Sequence, residues 1–264
     1  MKDETVLITG ASSGIGLELA RCFAAERCRL ILLARNAAAL EALAAELRQQ
    51  HGVEARVLVA DLALAETPGR IFNALQQEGV NVDVLVNNAG FGAHGKFAGL
   101  PLRRQLDMVQ VNVTALMQLT GLFLPGMLGR GRGGVMNIAS TAAFQSGPRM
   151  AVYYATKAFA LSFSEAVAVE TRGTGVTVTA VCPGPTHTNF GKAANYQSVR
   201  PPLRGFMTAR AVAEHGHRAF RRGRFVVVSG VQNRLLTVFV RLLPRFVIRR
   251  AVDWLNAGRL PLNS

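Results

Sequence analysis

The stretch Val6-Leu7-Ile8-Thr9-Gly10-Ala11-Ser12-Ser13-Gly14-Ile15-Gly16 decides the fold. Its first three residues form a short apolar run without polar alternation, as in a strand buried on both faces. Gly-x-x-x-Gly-x-Gly follows at once, and a helical pattern begins at Gly14. A strand, a tight glycine turn and a helix N-terminus aim backbone N–H groups and the positive end of a helix dipole at one point. A pyrophosphate is the natural occupant of such a point. Glycine-rich turns are common, so the placement at the first strand–helix junction is what gives this one meaning.

Working outward, short apolar runs alternate with longer amphipathic stretches. The runs are Leu30 to Leu33, Ala55 to Ala60, Val82 to Val86, Val135 to Ile138, Val176 to Val181 and Phe225 to Val228. Helical spacing occupies 14–26, 37–50, 67–78, 102–129 and 151–172. This rhythm predicts an α/β fold, a single Rossmann-type doubly wound parallel sheet with helices on both faces. Residues 1–230 are expected to form one dinucleotide-binding catalytic domain. Residues 185–208 hold Pro185, Gly191, Pro201, Pro202 and Gly205 and read as a lid loop; 231–264 read as a C-terminal helical appendix.

Half of the 264 residues are hydrophobic and 17% are charged, which excludes a disordered chain. Cys22, Cys28 and Cys182 form no CxxC pair and no Cys/His cluster, so neither a disulfide framework nor a metal site is expected. Free thiols suit a reducing cytoplasm. No signal peptide is expected, and no run approaches the ~20 apolar residues of a membrane span. The net charge is +14 and uneven. Residues 200–264 carry 13 Arg against Glu214 and Asp253.

The glycine turn, Asn87-Asn88-Ala89-Gly90, Ser140 and Tyr153-x-x-x-Lys157 together resemble the short-chain dehydrogenase/reductase family of ordinary length. The resemblance covers roughly residues 4–190 and is joint, in order and in spacing. It extends to bacterial reductases carrying Asn-Asn-Ala-Gly-Phe-Gly at 87–92 and a tail of this kind. It implies that Gly10, Ser12, Ser13, Gly14, Ile15 and Gly16 hold a dinucleotide pyrophosphate. It also implies that Asp61, beside Leu62, accepts from the adenine amino group; a helix cap is the other reading of Asp61. By the same resemblance, Asn88, Ala89 and Gly90 should pass close to the nicotinamide ribose, and Asn87 should hold the sheet. Pro183 and Gly184 make a turn over the nicotinamide, with Thr186 or Thr188 near its carboxamide.

The second strand ends in Ala34-Arg35-Asn36. A carboxylate at its end would favour NAD, and Ala34 cannot serve. The Arg35 guanidinium can pair with a 2′-phosphate, so NADP(H) is the expected cofactor. Asn36 and Ser12 are further candidate phosphate ligands. The competing reading of Arg35 is a solvated residue ahead of the next helix.

Tyr153 and Lys157 lie at i and i+4, on one helix face; Tyr154 is rotated by ~100° from it. A phenol is a reluctant base until positive charge stabilises its anion, and Lys157 with an oxidised nicotinamide provides that charge. Tyr153 then exchanges the proton while hydride moves directly between nicotinamide and substrate carbon. By the same resemblance, the Ser140 hydroxyl is placed to hold the substrate oxygen. Asn112, an Asn between two Val residues inside a helical stretch, binds by resemblance a water leading to Lys157. Phe91, His94, Phe144, Met150, Phe190 and Tyr196 are the candidate pocket residues. They are mostly apolar, which favours a lipophilic ketone or alcohol; packing of the lid is the other reading.

Arg234, Arg241, Arg245 and Arg249 fall on one stripe of a continuous helix, and Pro244 should kink or divide that helix. A basic amphipathic helix suits an anionic membrane surface, giving peripheral contact through 231–258; docking on the chain's own domain is the competing reading. A homodimer or homotetramer is expected by resemblance. The rival functions are a dinucleotide-binding scaffold or redox sensor with little turnover and, below it, a nucleic-acid binder, for which no stacking motif accompanies the charge. No nucleic-acid partner is therefore expected.

Overall fold

The structure is a computed structural model and describes residues 4–188, 190, 194 and 206–257. Six strands, β1 (Thr5–Thr9), β2 (Arg29–Ala34), β3 (Ala55–Val59), β4 (Val84–Asn87), β5 (Gly133–Ile138) and β6 (Val176–Cys182), form the body of the sheet. Two-residue strands β7 (Thr186–His187) and β8 (Met207–Thr208) pair with each other, and β9 (Val226–Val228) closes the main sheet. Its order is β3-β2-β1-β4-β5-β6-β9, with every pair parallel. The chain reverses its winding between β1 and β4, so a crevice opens beyond their C-terminal ends.

Alternate strand residues explain why the strands read as continuous apolar runs. Val6 and Ile8 face one layer and Leu7 the other, and all three are fully buried. Helices α1 (Gly14–Ala25) and α2 (Ala37–His51) cover the first face. The second is covered by α3 (Thr67–Gln77), α5 (Leu116–Arg130) and α6 (Ala151–Glu170), and α4 (Leu102–Val109) leads into α5. A π-helical segment, Gln110–Ala115, joins α4 to α5. Residues 102–130 are therefore one continuous helix, and an 18-residue window in it has mean hydropathy 1.4. Its length and apolarity reach those of a membrane span, contrary to the sequence expectation. Here Leu119, Phe123 and Met127 are buried on the sheet, as in a core helix.

A buried amide network holds the sheet at its working end. Asn87 Nδ2 donates to Asn137 Oδ1 at 2.9 Å and to Thr120 Oγ1 at 3.1 Å. Asn137 Nδ2 donates to Ser164 Oγ at 2.8 Å. Four elements, β4, β5, α5 and α6, are thereby tied together. Removing one partner leaves the others unpaired away from water, at a cost of about 1–3 kcal/mol.

One feature departs from the sequence reading. Helix α7 (Ala209–Arg221) was not expected, although its buried face of Val212, Ala213, Gly216, His217, Ala219 and Phe220 alternates with Arg210, Glu214 and Arg218 at helical spacing. Its Arg221 meets Glu4 and Glu26 at 2.6 Å each and lies over the Phe23 ring. The tail is divided at Pro244, as expected, into two helices, α8 (Val231–Leu242) and α9 (Arg245–Asn256). Leu243 and Pro244 between them are extended, at ψ 146 and 137. Proline cannot donate to the helix ladder and disfavours helix in the residue before it. The arginine stripe drawn on a continuous helix is therefore broken.

Candidate active site

The glycine turn leaves no room for side chains. Gly10 and Gly14 have φ of +66 and +58, which L-residues rarely adopt. A Cβ on Gly10 would sit 2.8 Å from Asn88 Nδ2, and one on Gly16 would overlap the same amide. Asn88 Nδ2 donates to the carbonyls of Thr9 at 2.9 Å and Gly10 at 3.1 Å. Thr9 Oγ1 in turn accepts from the N–H groups of Asn88 and Ala89, both at 3.0 Å. Thr9, not singled out from the sequence, is thus the clip joining the glycine turn to the Asn-Asn-Ala-Gly turn. The cradle that results fits a dinucleotide pyrophosphate, since backbone lines the crevice at the N-terminus of α1.

One continuous cavity of about 2400 Å³ runs from this cradle to the tail. Its first end is lined by Ser12, Ser13, Gly14, Ile15, Arg35, Asn36, Asp61 and Leu62. Arg35 is 76% exposed and 3.9 Å from Asp61, so its guanidinium stands at the mouth and is only loosely paired. Asn36 Oδ1 accepts from Ala39 N–H and caps α2, which commits that atom to the helix. Asp61 Oδ1 accepts from Ala63 N–H, and Oδ2 faces Arg35. Its cap therefore serves a turn, because α3 begins only at Thr67.

Asn88, Ala89, Gly90, Ser140, Tyr153, Lys157, Pro183, Gly184, Thr186 and Thr188 line the middle. Lys157 is buried, and its Nζ donates to the Ile138 carbonyl at 2.7 Å. Burial pushes its ammonium down to about 8. The Nζ atom is 6.0 Å from the centre of the Tyr153 ring. The Lys157 ammonium thus stands beside the Tyr153 ring. Burial pushes Tyr153 up to about 12, and a hydrogen bond from Ser140 opposes this. At neutral pH, Tyr153 is a held proton donor. Ser140 Oγ also accepts from Ala142 N–H at 3.1 Å, which fixes its rotamer.

Asn112 lies in the π-helical segment. Its Oδ1 accepts from Phe91 N–H at 3.1 Å, and its Nδ2 donates to the Phe91 carbonyl and to Thr156 Oγ1. These bonds clamp the chain after Gly90 onto α6, one turn from Tyr153. A Cβ on Gly90 would lie 3.0 Å from Asn112 Oδ1 and 3.5 Å from Lys157 Nζ, so the glycine permits that approach.

Phe91, Met150 and Phe190 line the cavity, and the Phe190 and Tyr153 rings are 5.1 Å apart. His94 and Phe144 are corrections, since neither forms part of the cavity wall. His94 Nε2 bonds the Asn256 carbonyl at 2.7 Å, and Phe144 lies beneath the Arg241 guanidinium. Both touch the tail, a partner that periodicity could not reveal. Tyr196 lies outside the described residues. Cys182 is buried and pushed up to about 12. Lys157 is a charged neighbour that opposes that shift, but burial wins.

The outer wall of the cavity comes from the tail, which docks on its own domain as the competing reading had it. Leu236, Phe239, Val240, Leu243, Val247 and Trp254 of α8 and α9 line the cavity. Three contacts pin α9 there. Arg149 Nε meets Asp253 at 3.1 Å, Asn256 Nδ2 donates to the Pro148 carbonyl at 2.9 Å, and His94 holds the Asn256 carbonyl.

Comparison with known proteins agrees with this geometry. A family model described as short chain dehydrogenase matches residues 4–198. Ketoacyl reductase HetN of Nostoc sp. is 31% identical over 241 residues, or 91% of this chain and 79% of the relative. A very-long-chain 3-oxoacyl-CoA reductase of Anas platyrhynchos is 32% identical over 209 residues, or 77% of this chain and 66% of the relative. A short-chain dehydrogenase from Sphingobium yanoikuyae, solved in complex with NADPH, superposes with a TM-score of 0.81 at 30% identity, covering 99% of this chain and 98% of that one. The matched span holds the glycine cradle, the Ser140–Tyr153–Lys157 group and the sheet that places them; the chain belongs to the short-chain dehydrogenase/reductase family and is an oxidoreductase of CH–OH and C=O groups.

Proposed function

We propose that this oxidoreductase uses NADP(H) to interconvert a lipophilic ketone or aldehyde and its alcohol. The observation that carries the reading is the single cavity. It joins a pyrophosphate cradle and Arg35 at one end, through Tyr153 and Ser140, to an apolar wall built from the tail. The NADPH complex of the Sphingobium relative supports the cofactor, and the names of the two acyl reductases support an aliphatic substrate.

The bound dinucleotide supplies hydride in reduction or accepts it in oxidation. The chain's own residues do the rest. Ser140 orients the substrate oxygen. Tyr153 donates its phenolic proton as that oxygen becomes negative, and takes it back in the reverse direction. Lys157 provides the positive charge that makes the phenolate less costly. Asn112 holds the Phe91 backbone and Thr156, and so fixes the distance between the Gly90 turn and α6. The apolar wall offers a lipophilic substrate its contacts. Exposed Leu102, Leu106, Val109 and Met117 along the 102–130 helix support assembly into a homo-oligomer through that helix.

A screen of aliphatic and cyclic ketones with NADPH, following cofactor absorbance, tests the reading. The expected result is turnover of apolar ketones that Tyr153→Phe lowers by about 10³-fold or more while NADPH still binds. Turnover unchanged in Tyr153→Phe rejects the mechanism. Preference for sugars or polyacids rejects the lipophilic substrate.

A further inference from the structure

We propose that the tail is a docking surface for an anionic lipid bilayer, seated beside the open end of the substrate cavity. Among the described residues, eleven of the twenty exposed large apolar side chains lie between Val231 and Leu255. They divide into two sets. One faces the cavity, as described above. The other is Val231, Leu235, Val238 and Leu242, at i, i+4, i+7 and i+11, one stripe of α8. None of these four lines the cavity, and they are 77%, 54%, 53% and 75% exposed. Such a stripe normally faces a core. Phe246 of α9, 56% exposed, adds to it.

The surrounding charge selects the occupant. Arg234 and Arg241 border the stripe at i and i+7, and Arg245, Arg249 and Arg250 follow in α9. Among the described residues no carboxylate pairs with Arg234, Arg245, Arg249 or Arg250. The acid of α9, Asp253, is already taken by Arg149. Apolar side chains flanked by arginines match acyl chains beneath phosphate or carboxylate headgroups. A second copy of this chain fits less well, since a twofold contact would set these arginines against one another.

The position adds a consequence that rests on the proposed lipophilic substrate. Leu236, Phe239, Leu243 and Trp254 line the cavity and are also 49%, 57%, 48% and 60% exposed. An apolar path therefore runs from the surface of the tail into the cavity. A docked enzyme would take its carbonyl substrate from the bilayer rather than from water.

Trp254 is the single tryptophan and lies in this segment, so it reports docking directly. Full-length protein with bound NADP+ is mixed with phosphatidylcholine vesicles containing or lacking roughly 30% phosphatidylserine, and followed by Trp emission and by co-sedimentation. The expected result is a blue shift and sedimentation with anionic vesicles only, reversed by salt. The quadruple variant R234Q/R245Q/R249Q/R250Q should need at least ~30-fold more lipid for half-binding, since each lost arginine removes part of the attraction to anionic headgroups. L235S/V238S/L242S should lose the blue shift, while both variants keep NADP+ binding and turnover of a water-soluble ketone. Absence of binding to anionic vesicles at low salt overturns the proposal. So does unchanged binding by both variants, equally tight binding to a DNA duplex, or a dimer that dissociates in L235S/V238S/L242S. Docking without turnover of any lipophilic carbonyl would overturn the proposed substrate and leave the docking surface standing.

Discussion

Lys157 occupies a position that favours catalysis and opposes folding. Its ammonium is buried, and burial pushes it from 10.5 to about 8. A folded pKa below the unfolded one means that folding expels a proton, so the stability cost is present at pH below the folded value. It fades as pH rises from about 8 toward 10.5. A shift of that size corresponds to about 3 kcal/mol at neutral pH. Lys157→Met removes the charge and keeps most of the volume. It also leaves the Ile138 carbonyl without its 2.7 Å donor, a loss of about 1 kcal/mol. The variant, studied without added dinucleotide, should therefore be more stable than the parent by about 2 kcal/mol at about pH 7. That gain should shrink by about 2 kcal/mol at about pH 10, where the parent lysine is mostly neutral in the fold. Urea unfolding of both proteins at the two pH values measures this double difference. Turnover should fall by at least ~10²-fold in the same variant, since Tyr153 loses its nearby charge. A variant no more stable than the parent at neutral pH, with a gap indifferent to pH, would refute the reasoning. It would show that Lys157 is hydrated in solution.

Other outcomes follow from particular contacts. Gly16→Ala drives a Cβ into the Asn88 amide and the Gly10 carbonyl, so dinucleotide affinity should fall by at least ~10²-fold or the fold should fail; a tightly binding, stable variant in a fluorescence titration contradicts the packing. Arg35→Ala should weaken NADPH by about 5- to 10-fold and leave NADH unchanged, the modest size reflecting an exposed guanidinium; equal losses for both cofactors would detach Arg35 from the 2′-phosphate. Asn87→Leu strands Thr120 and Asn137, and should lower unfolding free energy by about 2–3 kcal/mol; a denaturation midpoint unchanged from the parent would mean that the network is replaced by water. Carbonyl reduction should decline as pH rises through about 8, where Lys157 loses its charge; a flat profile across that range would exclude Lys157 as the controlling group.

Much of this protein is set by local chemistry, and that part was legible in the chain itself. Runs such as Leu30 to Leu33 have one solution, a parallel strand covered on both faces, and the seven expected strands form the sheet. Glycine at positions 10 and 14 announced a backbone that other residues resist. Tyr153 and Lys157 declared their shared face by a four-residue spacing. Tertiary structure decided what no spacing encodes. Thr9 became a clip because β4 returns 79 residues later to place Asn88 beside it. Asn112 met Phe91 and Thr156 through a π-helical segment whose register a simple helical wheel misplaces. His94 and Phe144 turned to the tail because α8 and α9 fold back across the cavity, held by pairs more than 100 residues apart. Helix α7 was readable in the chain, since Val212, Ala213, Gly216 and Phe220 alternate with Arg210, Glu214 and Arg218 at helical spacing, but only the fold shows that this face packs on α1. Periodicity reports which face of a segment is buried; which partner buries it depends on the path of the whole chain.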